Sequence, residues 1–144
     1  MSKMIFINLP VTNVVASTKF YEALGMVKNE KFSNEHGSAL SWSDTISFML
    51  LDHGFYSTFT PKQIIDAKTT SGMLLALGLD SRAEVDAITD AAVAAGGTSL
   101  HDPEDEGFMY SRAFADLDGH GFGPFWMDPA AAANGPEAMS DATA

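Results

Sequence analysis

The chain has 144 residues, no cysteine, 8 Lys and Arg against 19 Asp and Glu, and a formal net charge of −11. That length suits one domain with its own core, while zero cysteines exclude disulfide frameworks, thiolate metal sites and cysteine nucleophiles. So acidic a chain is repelled by phosphate backbones and anionic membranes, and 46% hydrophobic with 19% charged residues is a globular composition.

Lys3 followed by Met4-Ile5-Phe6-Ile7 resembles the start of a leader, but Asn8 and Pro10 interrupt the run. It falls far short of the ~20 apolar residues of a membrane span, so a soluble, cytoplasmic protein is expected. Residues 4–11 alternate, with Ile5, Ile7, Leu9 and Val11 on one face and Met4, Phe6, Asn8 and Pro10 on the other, which predicts a strand. Asn13 is a good N-cap for a helix whose apolar face is Ala16, Phe20, Ala23 and Leu24, and Gly25 suits its end. Three strands are predicted next, over 26–33, 38–43 and 45–52, with turns at 34–37 and 43–44.

A connector over 53–70 holds Thr60-Pro61-Lys62-Gln63, a capping-box pattern that predicts a short helix to Ala67. Then the order recurs. Met73, Leu75, Leu77 and Leu79 alternate with Gly72, Leu74, Ala76 and Gly78, predicting a strand. Ser81-Arg82-Ala83-Glu84 opens a helix that buries Val85, Ile88, Ala92 and Ala95, and Gly96-Gly97 ends it. Three more strands are predicted over 98–101, 107–116 and 120–127, the last two joined at Asp118-Gly119. From 129 to 144 a tail rich in alanine, with little to bury, is expected to fray.

The chain therefore reads as one α+β domain over 1–128, built from module one (4–52) and module two (71–128), each β-α-β-β-β. Neither half covers its apolar face alone, so the two are expected to pair, within one chain or between chains.

This repeat, with Phe20-Tyr21…Leu24-Gly25 after the first strand and Asp116-Leu117-Asp118-Gly119-His120 before the last, resembles the vicinal oxygen chelate superfamily. Glyoxalase I, bleomycin-resistance proteins and extradiol dioxygenases are members. The resemblance implies paired βαβββ modules forming a curved mixed sheet, a cup, and often a divalent metal held by His, Gln or Glu on the first and last strands of each module. Carried over singly, those positions fall on Phe6, on Met49 or Leu50, on Leu74 and on Gly123, none of which can donate to a metal. No metal and no other cofactor is therefore expected.

If the aliphatic rows pack under the helices, the alternates face the cup: Phe6, Asn8, Ile46, Phe48, Leu50, Leu74, Ala76, Gly121, Gly123 and Phe125. On the 107–116 segment the larger face, Phe108, Tyr110, Arg112 and Phe114, is assigned to the cup as well. Asn8, Tyr110 and Arg112 are its expected polar handles. Arg112 could fork onto a ligand carboxylate or pair with an acid at the sheet rim, and Asn8 could bind a ligand or tie down a neighbouring backbone.

Asp116, Asp118 and His120 alternate as a metal cluster would, but an Asp-Gly hairpin explains two of them without any metal, and Glu35-His36 suits a solvated turn. His53 and His101 suit exposed strand ends, and residues 102–106 a solvated acidic loop. Gly119–Gly123 lacks dinucleotide-loop spacing. The leading expectation is a metal-free protein that binds a small, partly apolar molecule in the cup, as a homodimer. Two alternatives stand beside it: a metal-dependent lyase, isomerase or dioxygenase using His120, Asp116 or Glu35, and a dimeric interaction module whose cup has collapsed.

Overall fold

The computed structural model describes residues 3–135. Module one consists of β1 (Ile5–Val11), α1 (Val14–Ala23), β2 (Val27–Asn34), β3 (Gly37–Ser41) and β4 (Ile46–Asp52). A short α2 (His53–Tyr56) begins the connector. Module two repeats the order as β5 (Leu74–Leu79), α3 (Arg82–Ala94), β6 (Thr98–Asp105), β7 (Met109–Ala115) and β8 (Gly121–Met127), and α4 (Pro129–Asn134) follows. The predicted order of strands and the two long helices is present, with strand ends shifted by a few residues.

The caps work as read from the sequence. Asn13 Oδ1 accepts from the Ala16 amide at the start of α1. Ser81 Oγ accepts from the Glu84 amide, while the Glu84 carboxylate reaches back to the Asp80 amide. Gly25 and Gly96 take positive φ just past the ends of α1 and α3, where other residues would be strained.

Three expectations need correction. The capping box at Thr60 starts no helix: Thr60 Oγ1 accepts from the Lys62 amide, and Ile64-Ile65 supplies no stripe at helical spacing for a packed face. The helix comes earlier, where Asp52 Oδ1 caps the Phe55 amide. The acidic run at 102–105 belongs to β6 rather than to a loop, although every residue of that strand is exposed. Residues 129–134 are helical, capped by Asp128, because Ala131 finds a buried site; the rest of the expected tail lies outside the described residues.

Each module forms a four-stranded mixed sheet, ordered β1-β4-β3-β2 and β5-β8-β7-β6, with β1 parallel to β4 and β5 parallel to β8. One face of each sheet packs toward the helices and the other is open. The helix-side faces of both sheets contribute to one core. Phe122 of β8 stacks on Phe114 of β7 at 5.2 Å and meets Tyr21 and Phe48 of module one, each at 5.9 Å. The modules are thus joined within one chain.

The Asp116–His120 turn completes that joint. Asp116 is buried, accepting the Tyr21 hydroxyl on Oδ2 and the amides of Asp118 and His120 on Oδ1. The Thr12 amide donates to Asp118 Oδ1, and His120 Nε2 lies 2.8 Å from the Pro10 carbonyl, so the ring donates there. Gly119 has φ +98°, and a Cβ on it would come within 2.7 Å of the Ala67 and Lys68 backbone, so the connector packs directly on this turn. No helix among the described residues is long and apolar enough to cross a membrane.

Candidate functional site

Parallel pairing sets the faces. Phe6 stands beside Ser47, Ile7 beside Phe48, Asn8 beside Met49 and Leu9 beside Leu50. Aligned neighbours share a face, so Phe48 and Leu50 follow Ile7 and Leu9 into the core, at 1% and 0% exposure. The open face of the first sheet instead carries Phe6, Asn8, Ser47 and Met49, continued on β3 by Ala39 and Ser41. Phe6 is half exposed there, and Asn8 makes no side-chain hydrogen bond among the described residues.

A cavity of about 550 Å³ occupies this open face. Met4, Phe6, Phe32 and Met49 form its apolar walls, and Asn8, Asn29, Ser41, Ser47 and Asp44 supply its polar points. A second cavity of about 530 Å³ lies between β1, the connector and β5. Asn8 lines both, joined in the second by Leu74, Tyr56, Lys62 and His120.

On the second sheet, Leu74 pairs with Gly121, Ala76 with Gly123 and Gly78 with Phe125, all on the open face. Gly123 and Phe125 line neither cavity. The Phe125 ring lies over Gly78, where a Cβ would meet it at 3.3 Å, while a Cβ on Gly123 would meet only the Arg112 carbonyl, at 3.9 Å.

The expected handles on β7 face the other way. Phe114 pairs with Phe122 and Tyr110 with Trp126, on the helix side. The Tyr110 hydroxyl donates to Asp86 at 2.7 Å, and Arg112 bridges Asp86 and Asp90 at 3.2 Å each. Accepting from it, the Asp86 carboxylate raises the Tyr110 phenol above its ordinary range. Arg112 is thus the rim ion pair rather than a cup residue, and Phe108 lines neither cavity. The cause is volume. The aromatic core takes the large residues of β7, and α3 offers acids within reach of the guanidinium, leaving Ser111 and Ala113 for the open face. Arg82 lies on the same side, paired with Asp105 and lying 5.3 and 5.1 Å over the Tyr110 and Trp126 rings.

The metal positions implied by the resemblance do not fit a divalent ion. Phe6, Met49, Leu74 and Gly123 stand on open faces and offer only a thioether among them, a poor ligand for a hard cation. No group of three or more His, Asp or Glu side chains is placed to hold a metal among the described residues. The residues an alternative site would need are apart or engaged: Asp116 and His120 bind the joint, and Glu35 lies in the β2–β3 turn beside His36.

No protein-family model and no curated protein matches the sequence. Solved structures do. A hypothetical protein from S. aureus superposes with a TM-score of 0.74 at 23% identity, covering 88% of this chain and 94% of that one. A glyoxalase/bleomycin resistance protein/dioxygenase family enzyme from Burkholderia phytofirmans gives 0.72 at 19% identity, over 88% and 99%. A glyoxalase-related enzyme from Fulvimarina pelagi gives 0.72 at 20% identity, over 88% of each. The chain has the glyoxalase/bleomycin-resistance fold, in agreement with the resemblance to the vicinal oxygen chelate superfamily.

Proposed function

We propose that the protein binds a small, partly apolar molecule in the groove on the open face of the first sheet, without a metal of the kind found in related enzymes. The observation that carries this reading is the cavity of about 550 Å³ walled by Phe6, Phe32, Met4 and Met49 and edged by amides, hydroxyls and the one carboxylate of Asp44. Apolar walls with a few fixed polar points are the usual composition of a small-molecule site. The cavity is open rather than filled by its own side chains, which speaks against a collapsed cup.

Nile red, a neutral polarity-sensitive dye, tests the reading. Saturable fluorescence enhancement with one site per chain is expected. Phe6→Ser should weaken it by about tenfold, the effect of withdrawing one aromatic wall of some 1.5 kcal/mol. The melting temperature should hardly move, because Phe6 is 54% exposed and adds little to the core. Non-saturating binding, or binding indifferent to Phe6, defeats the proposal.

A second reading concerns assembly. Leu74 is 76% exposed on the open face of the second sheet, with Leu100 and Met73 also about half exposed, a concentration of apolar surface that monomers seldom leave bare. A second copy of the chain covering this face accounts for it. In sedimentation the protein should then run as a dimer and Leu74→Lys as a folded monomer. A wild-type protein that stays monomeric at high concentration rules the dimer out.

A further inference from the structure

We infer that the molecule taken by the first-sheet groove is a cation with an aromatic or other flat apolar body, its charge set against Asp44; this rests on the small-molecule reading above. Among the residues lining that cavity, Asp44 is the one ionisable side chain. It stands exposed between β3 and β4 and has no ion-pair or side-chain hydrogen-bond partner among the described residues.

None of the six lysines and two arginines pairs with it among the described residues, and three of them are held by other acids. Arg112 is held by Asp86 and Asp90, and Arg82 by Asp105, all on the helix side of the second sheet. On β2 the Lys28 ammonium is drawn to Glu30 at 3.5 Å. An anion entering the groove would meet an unbalanced carboxylate and the field of a chain with net charge −11.

A cation meets the reverse. Asp44 offers a carboxylate at one end, Ser41, Ser47 and Asn8 offer oxygen acceptors for N–H donors, and the exposed rings of Phe6 and Phe32 present π faces. A positive charge held beside an aromatic face gains from the ring quadrupole as well as from burial of its apolar body. From the sequence alone Arg112 is open to a ligand carboxylate or to an acid at the sheet rim. Its placement away from the groove leaves Asp44 to set the sign.

Three probes of one shape decide the matter: 2-naphthylmethylamine, 2-naphthylmethanol and 2-naphthoate, measured by calorimetry at low ionic strength against wild type and Asp44→Asn. The amine is expected to bind wild type about tenfold tighter than the alcohol, with the naphthoate weakest. In Asp44→Asn the amine should fall to the level of the alcohol, while the alcohol itself is unchanged. Equal binding of amine and alcohol to wild type overturns the charge assignment and leaves the groove standing. So does an amine preference that survives Asp44→Asn, which would trace to the general field. If none of the three binds saturably, the small-molecule reading falls as well.

Discussion

Phe122→Ala is expected to lower the unfolding free energy by about 3–5 kcal/mol, the cost of emptying a fully packed aromatic site. The ring is 1% exposed and contacts three others, Phe114 from its own sheet and Tyr21 and Phe48 from the first module. Its loss therefore removes packing from both halves at once, and denaturation should remain a single cooperative transition at a lower midpoint. Phe125→Ala, three residues along the same strand, provides the contrast. Phe125 lies over Gly78 on the open face and is only partly buried, so its removal should cost less than about 1.5 kcal/mol. Comparable losses at the two positions would contradict the assignment of faces.

That assignment is where the sequence was least legible. The first strand of each module announces itself, because Ile7, Leu9 and Val11 alternate with a polar Asn8, and Leu75, Leu77 and Leu79 alternate with small residues. The fourth strand does not: Ile46, Phe48 and Leu50 on one parity compete with Met49 and Leu51 on the other, and both rows are apolar. Only the pairing with β1 decides, and a register is a long-range fact that a local pattern does not contain. In the parallel pairing of β1 and β4, Asn8 aligns with Met49, which puts Phe48 and Leu50 on the core side. On β7 the sequence leaves Arg112 open to a ligand or to a rim acid, and α3, carrying Asp86 and Asp90 at i,i+4 spacing, supplies the acids. Helix caps and turns were readable because their chemistry is local. Phe6, Asn8 and Leu74 line the cavities, and their placement depends only on the parity of one strand. Asp44 carries no sequence signal for a site, because a single aspartate in a turn has a sufficient local explanation.

Asp116→Ala is expected to cost about 2–4 kcal/mol, because it strands the Tyr21 hydroxyl and two backbone amides at a buried joint. Tyr21→Phe removes only one of those donors and keeps the ring, so about 1 kcal/mol is expected from it. If the hydroxyl–carboxylate bond is what couples the modules here, the double variant should cost clearly less than the sum of the singles; strict additivity would deny the coupling. The acid dependence follows from the carboxylate's surroundings. Burial raises the Asp116 carboxyl above the ordinary aspartate range, more than the Tyr21 hydroxyl, the nearby His120 and the two amides lower it. A carboxyl that holds its proton more tightly folded than unfolded contributes stability that is present below the unfolded pKa and is lost as pH rises through the raised folded value. The stability gap between wild type and Asp116→Ala should therefore be widest in acid and narrow on going upward from the ordinary aspartate range, then stay level toward neutrality. A gap that widened over that interval would mean that the three donors outweigh burial and hold the group ionised.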